Sequence, residues 1–170
     1  MGKFLKLALV LPFLLAPLYG AVLAGDTINV THYFPSLLSA DSDMGTQTAP
    51  GTFFYAGILD VTVNDATILV TAHCGDGCTW TGTDFNGPLI TDLSRSPITS
   101  VLIDASSTYV GFDTSRLAFD GSHVYINLQG LDANGFLQLD LASVPEPGTA
   151  GLLGLALIAF SVAVRRRFSR

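Results

Sequence analysis

Basic residues are scarce in the long middle part of this chain. Between Gly25 and Pro147 there is no lysine, and Arg95 and Arg116 stand against all fourteen acidic residues of the protein. The formal charge of this part is therefore −12. Nucleic acids are bound through lysine and arginine side chains that neutralise phosphates. We therefore expect no DNA or RNA partner.

Long apolar runs are absent from the middle part and occur only at the two ends. Near the N-terminus, two lysines precede an apolar stretch at 7–15, and Val22-Leu23-Ala24 offers a small-residue cleavage site. This order is typical of a secretory signal peptide, so we expect residues 1–24 to be removed during export. An uncleaved anchor is the alternative, which the two prolines within 1–24 disfavour because they would interrupt a long helix.

The second apolar run, Gly148–Val164, carries no charge. At about 1.5 Å per residue it would extend roughly 25 Å, near the lower limit for crossing a bilayer. Arg165, Arg166 and Arg167 follow directly, and such a cationic cluster stays on the cytoplasmic side. We predict a transmembrane helix over 148–164 with these arginines as the membrane stop, which leaves the middle part outside. A core helix is the alternative, but the run has no polar face.

The whole C-terminal end, VPEPGTAGLLGLALIAFSVAVRRRFSR, resembles the PEP-CTERM sorting signal of Gram-negative bacteria that make exopolysaccharide. The resemblance covers residues 144–170 and rests on Pro145-Glu146-Pro147, the apolar span and the arginine cluster. It implies recognition by exosortase, a membrane-embedded protease and transpeptidase, with cleavage near Glu146. It further implies a membrane-anchored intermediate that ends at the cell surface or outside the cell. The resemblance indicates where the protein is sorted. It does not indicate the role of the middle part.

Residues 25–143 carry the pattern of a single all-β domain. Short runs rich in Val, Ile, Thr, Tyr and Phe alternate with clusters of Gly, Asp, Asn, Ser and Pro, which is typical of a sandwich or barrel. We predict an antiparallel β-sandwich with jelly-roll-like connectivity. The predicted strands are 28–34, 52–63, 67–72, 78–81, 98–104, 108–112, 116–119, 122–128 and 136–141.

Two strands and one loop are predicted in more detail. Asp120-Gly121 suits a type I′ hairpin turn. The strand after it should point Val124, Ile126 and Leu128 inward, and the last strand should do the same with Leu137, Leu139 and Leu141. We expect these two strands to pair antiparallel through a connection at 132–135. Residues 39–50 are polar and rich in turn formers, which predicts an exposed loop. Asp41 and Asp43 in it lack the glycine and glutamate of a calcium loop and should be solvated.

Cys74 and Cys78 are the only cysteines. In an exported chain an even count favours a disulfide, and Gly75-Asp76-Gly77 forms a turn tight enough to bring the two residues together. We predict a bridge at the tip of a hairpin. The alternative is a metal site with His73 as a third ligand, but structural zinc sites have four ligands. We expect no metal and no cofactor.

No catalytic residue is predicted. None of the three histidines lies in a nucleophile motif such as Gly-x-Ser-x-Gly, and the only glutamate lies in the sorting motif. We expect a non-catalytic surface or extracellular-matrix protein. The alternative is a carbohydrate-binding module that uses exopolysaccharide as its partner, and a secreted hydrolase is the least favoured class. The sugar platform of that module would consist of His123, Tyr125 and Asn127 on one strand with Phe136 and Gln138 on its neighbour.

Overall fold

The computed structural model describes residues 22–94 and 97–142. Four predicted features lie outside these residues: the signal peptide up to residue 21, the Pro145-Glu146-Pro147 motif, the transmembrane helix at 148–164 and the stop at Arg165–Arg167. Within the described ranges, no helix is long and apolar enough to cross a bilayer. The described strands are β1 (Thr27–Tyr33), β2 (Ala40–Thr48), β3 (Gly51–Tyr55), β4 (Leu59–Val63), β5 (Thr67–His73), β6 (Gly87–Asp92), β7 (Ser100–Ile103), β8 (Leu117–Phe119), β9 (His123–Ile126) and β10 (Asn134–Ala142).

The strands form two five-stranded antiparallel sheets. The first sheet has the order β2-β1-β6-β9-β8 and the second has the order β3-β4-β5-β10-β7. The pairings between these described strands are all antiparallel. The all-β, two-sheet antiparallel architecture is therefore confirmed. The connectivity differs from the jelly-roll-like one that we expected, because β3, β4 and β5 run as a meander within one sheet instead of forming part of two Greek keys.

Alternating residues of both sheets build one apolar core. β4 alternates buried and half-buried positions strictly, and β10 does so from Phe136 onward, which is the period-two pattern of a strand with one face inside. Ile28 and Val124 of the first sheet belong to the same buried cluster as Val61 and Leu139 of the second. The predicted inward positions of β9 and β10 are confirmed: they are buried at Val124, Ile126, Leu128, Leu137, Leu139 and Leu141.

The predicted pairing of the last two strands is wrong. β9 pairs with β6 and β8 in the first sheet, whereas β10 pairs with β5 and β7 in the second. The segment between them passes from one sheet to the other, and Leu131 and Ala133 in it are buried in the shared core. The predicted strand at 116–119 and the hairpin that follows it are confirmed as β8 and β9.

The turn of that hairpin is not of type I′. A type I′ turn requires positive φ at both central residues, and neither Asp120 nor Gly121 has one. Instead the Asp120 carboxylate accepts hydrogen bonds from the backbone N–H groups of Ser122 and His123, each at 2.9 Å. Positive φ angles occur at Ala56 and Gly57, where they reverse the chain between β3 and β4 and divide the single strand predicted at 52–63.

The exposed loop predicted at 39–50 is also wrong, because most of it is β2. Its sequence is polar on both faces, and all its residues are exposed or half-buried. This is compatible with a strand because β2 lies at the edge of its sheet and pairs only with β1, where polar residues discourage edge-to-edge association. β6 was not predicted at all. The predicted strands at 78–81 and 108–112 are absent from the described structure, apart from one bridge between Thr79 and Asp132.

Candidate functional site

A cleft opens between the ends of β1 and β3, and a buried histidine forms part of it. β1 alternates its side chains so that His32 follows Ile28 and Val30 on the inward face. His32 is 1% exposed. Neither ring nitrogen has a hydrogen-bond partner among the described residues. The cleft has a volume of about 330 Å³, and Asp41, Tyr55, Trp80, Thr81 and Asn86 also contribute to its wall.

Residues from both sheets meet at His32. The Tyr55 ring, at the end of β3, stacks on the imidazole with ring centroids 3.9 Å apart and planes 12° apart. The Tyr55 hydroxyl donates a 2.6 Å hydrogen bond to Asp41 Oδ2. Asp41 lies on β2, and its Oδ2 is 3.4 Å from His32 Nδ1. Irregular pairing of β1 with β2 on either side of His32 gives this edge of the cleft its shape.

Trp80 belongs to the segment that follows the disulfide loop. Its indole N–H donates a 2.7 Å hydrogen bond to the Tyr109 hydroxyl. The Tyr109 ring lies directly against the backbone of Gly135, where any Cβ would contact ring atoms at about 3 Å. Next to Trp80, the Asn86 side-chain amide donates to the Thr81 carbonyl. These contacts hold the inner wall of the cleft to the body of the sandwich.

Burial controls the protonation of the cleft. Burial lowers the pKa of His32, and the neighbouring Asp41 carboxylate offsets only part of this effect. Burial and the hydrogen bond to Asp41 raise the pKa of Tyr55 to about 12. At neutral pH the imidazole is therefore uncharged, with one N–H donor and one acceptor nitrogen. The Tyr55 hydroxyl keeps its proton.

The lowered pKa of His32 predicts a loss of stability in mild acid. The unfolded chain binds a proton near pH 6.5, whereas folded His32 binds one only at lower pH, so the free energy of unfolding should fall as the pH drops from about 7.5 through 6.5. The contribution of this one proton is at most about 1.4 kcal/mol per pH unit. Urea unfolding at several pH values measures it. In a His32→Gln variant the slope should be smaller, whereas the exposed control His73→Gln should keep it. Equal slopes in wild type and His32→Gln would contradict the assignment.

The structure does not bring the five residues of the expected sugar platform together. His123 and Tyr125 lie on the outer face of β9 in the first sheet, whereas Phe136 and Gln138 lie on β10 in the second. The prediction assumed that these strands pair, so it does not survive the correction of the topology. Asn127 follows β9, and its amide is engaged with the backbone of Asp84 and Asn86.

Tyr125 and Asn127 do line a second cleft, of about 400 Å³, on the side of the first sheet. Arg116 borders it, but its guanidinium donates to the Gln129 carbonyl at 2.7 Å and thereby holds the chain that follows β9. The Tyr125 hydroxyl is 3.4 Å from the Asp120 carboxylate. The polar groups of this cleft are therefore used in local structure.

Asp120, Ser122 and His123 are close together but do not have the geometry of a catalytic triad. Both the Asp120 carboxylate, at 2.8 Å, and the Ser122 hydroxyl, at 3.2 Å, approach the same ring nitrogen, Nδ1 of His123. A triad needs the carboxylate and the nucleophile on opposite nitrogens of the imidazole. The contacts instead stabilise the turn between β8 and β9, and the turn's N–H groups lower the pKa of Asp120.

The Cys74–Cys78 disulfide is confirmed, with the two Cα atoms 5.9 Å apart. Its place in the fold differs from the expected hairpin tip, because β5 pairs with β4 and β10 and the chain after Cys78 forms no strand beside it. The Cys74 N–H donates to the Ala133 carbonyl, and the Ala133 N–H donates to the Cys78 carbonyl. The bridge therefore fastens the start of the Trp80 segment to the chain just before β10. The described ranges contain no group of three potential metal ligands.

The cleft itself was not predicted. One signal was present, because the alternation of Ile28, Val30 and His32 places a histidine on the apolar face of β1. The other wall residues come from β2, β3 and the segment around Trp80, which are separated in sequence and carry no motif. β2 was predicted as a loop, and the segment 78–81, which contains Trp80, was predicted as a strand. These two errors concealed that their residues meet at His32.

Comparison with known proteins identifies a known motif in one part of the chain. No curated protein and no solved structure matches it significantly. Residues 143–167 match the family model described as the PEP-CTERM protein-sorting motif. This is the end that resembled such a signal, and the motif is the kind that exosortase recognises on proteins bound for the surface. The chain accordingly carries a PEP-CTERM protein-sorting motif at residues 143–167.

Proposed function

We propose that this protein is a non-catalytic component of the cell surface or extracellular matrix. In this proposal its β-sandwich is exported, anchored for a time by residues 148–164 and released when exosortase cleaves near Glu146. The match of residues 143–167 to the sorting motif carries the proposal. The acidic, lysine-free middle part and its disulfide suit an exported protein. The shared use of one His123 nitrogen supports a structural role for the best-placed Asp, Ser and His cluster.

Replacing Glu146 by alanine tests the sorting step. The substitution removes the charged centre of the motif and leaves the apolar span and its arginines unchanged, so membrane insertion should proceed while cleavage fails. We expect the anchored, full-length form to accumulate in the membrane fraction of the producing bacterium, as measured by immunoblot. A matched Asp140→Ala substitution, in β10 and outside the motif, should leave processing unchanged. Wild-type release of the Glu146→Ala variant would contradict recognition through this residue.

A second candidate is carbohydrate binding by the β-sandwich. The cleft at His32 favours it, because aromatic rings, a carboxylate and hydroxyl groups meet there in one concave surface. A glycan array probed with the exported protein tests this candidate. Saturable binding to a defined saccharide is the expected result, and the absence of binding to every saccharide would leave the surface-protein role alone.

A further inference from the structure

The cleft contains polar groups that the protein does not use. His32 is buried and neutral, and neither ring nitrogen completes a hydrogen bond of good geometry within the described residues, although Asp41 Oδ2 lies 3.4 Å from Nδ1. A buried polar group that completes no hydrogen bond destabilises the folded state. Such exceptions in folded proteins call for an explanation, and a site prepared for a ligand is one of them. The second cleft, beside Tyr125, lacks a comparable group.

The arrangement combines an apolar wall with a polar rim. Tyr55 is held by stacking on His32 and by its hydrogen bond to Asp41, so its ring is fixed before any ligand arrives. Trp80 is fixed from behind through Tyr109. Asp41 and Thr81 are exposed at the rim, where their oxygens can accept or donate hydrogen bonds. A ring with C–H groups on its faces and hydroxyls on its edge matches both parts, and a pyranose has this chemistry.

Charge and size narrow the ligand class. The lining includes the Asp41 carboxylate and no lysine or arginine, so an anionic sugar would be repelled. The volume of about 330 Å³ lies at the small end of ligand pockets, which extend from about 300 to 1,000 Å³. This space suits one sugar unit of a longer chain whose neighbouring units extend into solvent.

We propose that the cleft formed by His32, Asp41, Tyr55 and Trp80 is the binding site for one neutral pyranose unit of a polysaccharide. The proposal deepens the carbohydrate-binding candidate and rests on it. It places the sugar site in the cleft between the ends of β1 and β3 and not on the outer face of β9. Asp41 accepts hydrogen bonds from the sugar's hydroxyls, and Tyr55 and Trp80 pack against its C–H groups. His32 supports the Tyr55 ring from below through the stacked contact between the two rings.

Asp41→Asn provides the sharpest test. The full protein, isolated in detergent from the producing bacterium, is titrated by calorimetry with neutral glucan, mannan and galactan oligosaccharides. Asp41→Asn keeps the size of the side chain and removes its charge, so we expect at least about a tenfold weaker binding of the oligosaccharide that wild type binds best. Asp43→Asn is the matched control on the same strand, because Asp43 bonds Asn29 and the backbone of Gly45 instead of lining the cleft. It should bind within about twofold of wild type.

Two further variants separate the proposal from the function on which it rests. Tyr55→Ala removes the ring and should abolish binding, while Tyr125→Ala, in the second cleft, should leave it unchanged. Binding that survives Asp41→Asn and Tyr55→Ala but is lost in Tyr125→Ala would overturn this site and leave carbohydrate binding intact. Failure of wild type to bind any of the oligosaccharides would overturn both. Binding of tetramethylammonium in their place would identify the cleft as an aromatic cage for a cation and would overturn the sugar assignment.

Discussion

Alanine in place of Gly87 is expected to prevent stable folding. Gly87 is the first residue of β6, and a Cβ built there would collide with the carbonyl oxygen of Ile126 at the end of β9. The two strands cannot separate to make room, because the Leu128 N–H donates to the Asn86 carbonyl at 2.8 Å and the β6–β9 pairing follows directly. We expect the free energy of unfolding, measured by urea denaturation, to fall by at least about 4 kcal/mol.

Gly82→Ala is the matched control for this substitution. Gly82 has no heavy atom within 4 Å of the position of a Cβ and no positive φ. Its replacement should change stability by less than about 1 kcal/mol and could raise it, since alanine reduces the entropy of the unfolded chain. Equal effects of Gly82→Ala and Gly87→Ala would show that the close approach of β6 and β9 does not determine the outcome.

Removal of residues 22–24 is expected to have the second large effect. Leu23 is fully buried in the core, and Val22 is buried beside it. The Leu23 N–H donates to the Asp65 carbonyl at 2.8 Å, and its carbonyl accepts from the Asp26 N–H at 2.9 Å. A chain that begins at Gly25 loses the Leu23 side chain and should be about 2–5 kcal/mol less stable than one that begins at Val22. Urea denaturation of the two chains measures the difference.

Two leucines distinguish the packing effect from an effect of chain length. Leu23→Ala in the longer chain should reproduce most of the loss, whereas Leu38→Ala, at a residue 98% exposed, should change stability by less than about 0.5 kcal/mol. Equal stability of the chains that begin at Val22 and Gly25 would contradict a role for Leu23.

The predicted signal-peptide cleavage after Ala24 stays a prediction. Sequencing of the mature N-terminus tests it, because cleavage after Ala24 would leave the exported domain without the buried Leu23 side chain.

Strands with one buried face could be predicted from sequence, and strands at an edge could not. β1 and β5 alternate buried with less buried residues, and β10 does so from Phe136 onward, which follows directly from having one face in the core. β2 has no buried face and depends on backbone hydrogen bonds to β1, so its composition is that of a loop. The disulfide was predictable because only two cysteines exist and a short turn joins them.

Sheet membership could not be predicted, and the candidate site depends on it. Both sheets of a sandwich point apolar residues into the same core, so the alternation in β9 and β10 is identical whether they are neighbours or belong to opposite sheets. The prediction of a sugar platform on β9 and β10 was wrong for this reason. The cleft was missed for a related one, since His32 of the first sheet and Tyr55 of the second approach only because the two sheets face each other.

The most direct test of the sorting proposal is the C-terminal sequence of the protein after export. Mass spectrometry of the surface and extracellular protein of the producing bacterium should find peptides that end near Glu146 and none from residues 152–165. The reason is that exosortase should separate the β-sandwich from its anchor at the Pro145-Glu146-Pro147 motif. Peptides that continue intact through Glu146 into residues 152–165, with the protein confined to the inner membrane, would contradict release and show that the anchor is permanent.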